Sequence, residues 1–88
     1  MTPTASPEMI LIFRGTHRVL SAEKRLKRAK VPLRLIPVPR RLTSECGLAI
    51  RVSHGDKDRV REVLSAARLL PLSVHIPRAD GEYEDAFL

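Results

Sequence analysis

Residues 31–52, VPLRLIPVPRRLTSECGLAIRV, hold two apolar runs, Leu33–Ile36 and Gly47–Val52, separated by a polar connection that includes Arg40 to Glu45. Each run is too short for a helix and is bounded by Pro or Gly, so each reads as a strand. Pro37 and Pro39 stiffen the exit from the first strand, and because proline offers no ladder donor that strand belongs at an edge. The join is too long for a tight hairpin turn. Upstream, Met9–Phe13 is a short apolar run closed by Arg14 and Gly15 and reads as a buried strand. Thr16 can cap a following helix, Val19, Ala22, Leu26 and Ala29 fall on one helical face, and Pro32 stops it. Downstream, Asp56 can cap a second helix carrying Val60, Val63, Leu64 and Ala67 inward. Leu72–Ile76 then alternates as a last strand, with Ser73 and His75 on the face opposite Leu72, Val74 and Ile76. The order strand, helix, strand, strand, helix, strand predicts an α+β, ferredoxin-like sandwich. Two helices would lie on a four-stranded antiparallel sheet whose first and third strands are central.

On this reading residues 1–8 are a loose arm, 9–77 the folded domain and 78–88 an acidic tail. With 88 residues and only 3% aromatic side chains, the core must be thin and aliphatic, because so short a chain buries only about 60% of its unfolded surface. One cysteine excludes an internal disulfide framework and a cysteine-based zinc site, and it fits a reducing, cytoplasmic setting. No stretch approaches the ~18 apolar residues that cross a bilayer, and the first residues lack the basic-then-apolar order of a signal peptide. The net charge of +6 is unevenly spread. Residues 14–41 carry ten basic side chains against one acidic, whereas 79–88 carry four acidic and no basic ones. That asymmetry points to an anionic partner for the first half or to screening by the tail.

Cys46 is the one soft nucleophile, set at the mouth of a predicted central strand beside Gly47. Arg40 and Arg41 would lower a thiol pKa and Glu45 would oppose them; a packed, inert thiol is the competing reading. His17, His54 and His75 are too scattered for a metal signature. His17 and His54 are expected to converge where strands one and three finish, with Cys46 at the opposite end, which argues against a Cys-His pair. The basic residues Lys24, Arg25, Lys27, Arg28 and Lys30 of the first helix could neutralise phosphates. The central strand GLAIRV lacks the aromatic residues on which RNA-binding sheets stack bases, so a solvated face is the simpler reading and nucleic acid is not the expected partner. Glu23 is placed to pair with Lys27, four residues on. Phosphate-binding loops, nucleophile elbows and carboxylate pairs for general acid-base work are absent from the sequence.

Three segments taken together, TH-x-x-L-x-AEK-x-LK-x-A from Thr16 to Ala29, VPLRLIPVPR from Val31 to Arg40 and CGLAIR from Cys46 to Arg51, resemble the selenium/sulfur carrier-like family. The resemblance runs from about Met9 to Ile76. It implies a bacterial cytoplasmic domain of unknown function, found alone or joined to a sulfurtransferase-like domain, whose cysteine is proposed to carry sulfur or selenium. By the same resemblance Cys46 would be the carrier thiol, Gly47 would shape its backbone, and Pro39, Arg40, Thr43 and Ser44 would frame the loop. Thr43 stands where serine is common and keeps the hydroxyl. The reading is therefore a cysteine-based carrier rather than an enzyme with its own turnover, with no cofactor and no metal. Its partners would be sulfur or selenium donor and acceptor proteins, and Lys24, Arg25, Lys27 and Arg28 would dock them. The alternative is a noncatalytic interaction or ligand-binding module in which Cys46 only packs, and RNA binding ranks third.

Overall fold

The computed structural model describes residues 8–38 and 47–88. The elements are β1 (Glu8–Ile12), α1 (Thr16–Arg28), β2 (Arg34–Pro37), β3 (Leu48–Ser53), a 3-10 turn (His54–Asp56), α2 (Lys57–Ala66), β4 (Ser73–Pro77) and β5 (Tyr83–Ala86). All strand pairs are antiparallel and the sheet order is β2-β3-β1-β4-β5. The first four strands thus take the ferredoxin-like order, with β1 and β3 internal as expected.

The expectation of four strands is corrected by β5. The acidic residues after Pro77 return along β4 and cover the edge that a four-stranded sheet would leave open. A tight turn makes this possible. Arg78 N donates to Glu82 O (2.8 Å), Gly81 N donates to Arg78 O (3.1 Å), and Asp80 Oδ1 accepts from Glu82 N (3.0 Å). Gly81 has φ +88, a conformation that side-chain-bearing residues adopt at a cost.

One face of the sheet carries both helices. Met9, Leu11 and Phe13 pack there with Ile50, Val52 and Val74 against Val19, Ala22 and Leu26 of α1 and Val60 and Leu64 of α2. On the other face Ile10, Ile12 and Ala49 are buried, with Ile36, Val38 and Tyr83 against them. No polar or charged residue among those described is buried. Unpaired polar groups are costly in such an interior, so chemistry in this fold belongs to its loops, edges and sheet faces.

Neither helix is capped as the sequence suggested. Gly15, in extended backbone, precedes α1 and Thr16 is its first residue, while Asp56 precedes α2 without a side-chain capping bond. The stop signals are shared. Val31 N donates to Leu26 O and Lys30 N to Lys27 O at the end of α1; Leu69 N donates to Leu64 O and Arg68 N to Ser65 O at the end of α2. These are paired Schellman closures, and they seat a buried or half-buried apolar residue over the last turn. They end α1 before Pro32 acts. Both require a left-handed residue, and Lys30 (φ 63) and Arg68 (φ 57) supply it without being glycine. Lys30→Gly and Arg68→Gly should therefore each stabilise the fold by about 0.5–1 kcal/mol, since relief of left-handed strain outweighs the added chain entropy. Urea unfolding of the two variants measures this.

Candidate functional site

The β2–β3 connection is the candidate carrier loop, and its two ends are fixed. Val38 N donates to Gly47 O at 3.0 Å, continuing the β2–β3 ladder one step beyond Pro37 opposite Leu48. Gly47 has φ +73, and no described atom beyond its neighbours comes within 4 Å of where a Cβ would sit. Glycine is thus required there by the backbone turn and not by a close approach. Gly47→Ala should cost about 1–2 kcal/mol through left-handed strain alone, read as a lowered urea midpoint. Pro39, Arg40, Arg41, Thr43, Ser44 and Cys46 lie outside the described residues.

The register corrects one expectation about what surrounds this loop. β1 and β3 are antiparallel neighbours, with Ile12 opposite Ala49 and Glu8 opposite Ser53, so β1 finishes where β3 begins. Continuing the register places Arg14 level with Gly47. His17, in the first turn of α1, therefore belongs to the end of the sheet at which Gly47 enters, and His54, after β3, belongs to the other. The two histidines do not converge. Sequence reasoning passed over Arg14 and the start of α1 as sharing the sheet end of Gly47, although the antiparallel order itself implies it. Arg14 and His17 are exposed.

The cationic residues of α1 sit on its solvent side. Lys27 Nζ pairs with Glu23 Oε2 at 3.0 Å, as the spacing predicted, and Arg28 lies in the last turn. Lys24 and Arg25 are exposed beside a groove of about 490 Å3 between α1 and the end of α2, where His17, Leu20, Ala67 and Leu69 form the other walls. Leu20 is 45% exposed in that groove. An apolar centre rimmed by cations suits an amphipathic acidic surface better than a bare phosphate chain. Among the described residues no group of three or more His, Cys, Asp or Glu could hold a metal ion, and no helix is long and apolar enough to cross a membrane.

Residues 8–76 match the family described as "Putative Se/S carrier protein-like". The chain belongs to that family. The match spans β1 to β4 and stops short of β5, so the Se/S carrier-like unit is the four-stranded part of the sheet and the acidic strand lies beyond it. No curated protein and no solved structure matches the chain.

Proposed function

We propose that this chain carries sulfane sulfur or selenium on Cys46 between partner proteins. The observation that carries the reading is membership of the Se/S carrier-like family across β1 to β4, together with the chain having a single cysteine. The clamp between Val38 and Gly47 supports it, because a carrier thiol needs a loop whose ends are held by the sheet. Arg14, which the register sets level with Gly47, supports it further, since a cationic side chain favours the attacking thiolate. In the transfer step the Cys46 thiolate attacks the terminal sulfur of a donor persulfide. The donor S–S bond breaks, a Cys46 S–S bond forms, and the donor leaves as its thiolate. A selenium atom bound to a donor sulfur would move in the same way. Neither step needs a cofactor or a net oxidant.

Docking belongs to α1. Lys24 and Arg25, with Lys27 and Arg28 further along, would meet an acidic face on a sulfurtransferase-like donor or on the acceptor. The reading is tested with a persulfide donor labelled in its outer sulfur. The chain should take up the label, surrender it to a second thiol protein, and lose it to reductant. Label that stays with the donor, or that is retained after reduction, contradicts it.

A further inference from the structure

The open face of the sheet brings together three side chains that the carrier reading does not use. Ser73 and His75 are two residues apart on β4 and so share a face, and Asp85 lies directly opposite His75 on β5. Ser73 Oγ is 3.0 Å from His75 Nε2, and His75 Nδ1 is 3.3 Å from Asp85 Oδ1. We propose that Ser73, His75 and Asp85 form an acyl-transfer site, in which Ser73 Oγ is the nucleophile toward small esters with an apolar acyl group.

The charge on Asp85 sets the polarity of this row. A carboxylate beside Nδ1 favours the tautomer with its proton on Nδ1, because the other tautomer would turn a lone pair toward the negative oxygens. That choice leaves Nε2 as an acceptor, and the hydrogen bond to Ser73 then runs from hydroxyl to imidazole. Nδ1 is buried and without an aligned hydrogen bond, although the carboxylate is within ion-pair distance. Nucleophile and base contacts of this kind are commonly loose before substrate binds.

A binding surface adjoins the row. The three residues line a cleft of about 630 Å3 whose rim carries Leu70, Leu72 and Phe87. These are 51%, 58% and 84% exposed and make up three of the four large apolar side chains left exposed among the described residues. An acyl chain laid on Phe87, which lies two residues after Asp85 and so alternates onto the face of the row, would bring its carbonyl carbon to Ser73. As the Oγ–C bond forms, the hydroxyl proton passes to Nε2. The C–O bond to the alcohol then breaks and the alcohol leaves with that proton. Water repeats the sequence on the acyl-serine, releases the acid and restores Ser73, with no change of oxidation state. Ser73 and His75 fall within the family match and Asp85 beyond it, so the complete row depends on β5.

The test uses the full chain carrying Cys46→Ala, so that the thiol cannot compete for the probe. An alkyl fluorophosphonate is the probe, with peptide mapping of the adduct and p-nitrophenyl butyrate hydrolysis as second readout. Ser65, which lines the same cleft, is the internal reference. Ser73 should be labelled faster than Ser65 by at least about 100-fold, the usual contribution of a positioned base. His75→Gln should remove that advantage. Asp85→Asn should slow labelling about tenfold, a smaller effect because the carboxylate is exposed and screened, and Asp85→Glu should restore most of it. Ser73→Ala should abolish both the adduct and nitrophenol release above that of free imidazole. Equal labelling of Ser73 and Ser65, or an unchanged rate in folded His75→Gln, overturns the proposal. If His75→Gln does not fold, an unchanged rate in Asp85→Asn overturns it instead.

Discussion

Cys46→Ala is expected to abolish sulfur loading while leaving the fold nearly as stable as before. The chain has one thiol, and the transfer step has no other atom on which a persulfide can form, so uptake should fall to background. A structural cysteine makes the opposite forecast. Truncating a packed thiol would cost about 1–2 kcal/mol and leave any partner interaction intact. The two roles therefore separate when loading and stability are measured on the same variant, by mass spectrometry after persulfide exposure and by urea unfolding. Cys46→Ser sharpens the result, since a hydroxyl keeps the size of the side chain but cannot hold a sulfane sulfur.

Phe13→Ala should have the largest effect on stability of any single truncation in the core. Phe13 is 1% exposed and follows β1 directly, within the main core between sheet and helices. It is one of only two phenylalanines in a chain without tryptophan, so the aliphatic neighbours have little bulk with which to refill the space. Truncating a buried phenylalanine costs about 3–5 kcal/mol. At roughly 0.05–0.15 kcal/mol per residue a chain of this length has about 4–13 kcal/mol in all. The variant should then be largely unfolded at 37 °C or show a strongly lowered urea midpoint, and Phe13→Leu should recover most of the loss by keeping the site apolar and nearly filled. A loss below about 1 kcal/mol would mean that Phe13 does not tie β1 to the helices. The entry to β3 at Gly47 would feel the change too, because Phe13 leads into Arg14, which the register sets level with Gly47.

Periodicity carried the first four strands and both helices. Apolar runs such as Met9–Phe13, and stripes such as Val19, Ala22 and Leu26, are dictated by which face must leave water, and burial follows that rule in the folded chain. β5 was not legible in the same way. The four acidic residues after Pro77 read as an acidic tail, yet Asp80-Gly81 is a strong hairpin signal, and an acidic strand is tolerated because Glu84 and Asp85 stay exposed at the sheet edge. Capping misled for a related reason. Thr16 and Asp56 have suitable side chains, but the backbone turns one residue earlier at Gly15 and, after β3, through a 3-10 turn first. Candidate site residues were legible as types, and the antiparallel register was needed to decide which of them share an end of the sheet.

The most direct measurement of the central claim is the rate of Cys46 alkylation against pH in the native protein, compared with the same rate in urea. A carrier thiol should react rapidly when folded, with a midpoint below the free-thiol value of ~8.5, and should gain a sulfur or selenium adduct when a donor is supplied. A thiol that reacts only after unfolding, and takes up no adduct while folded, would contradict the account.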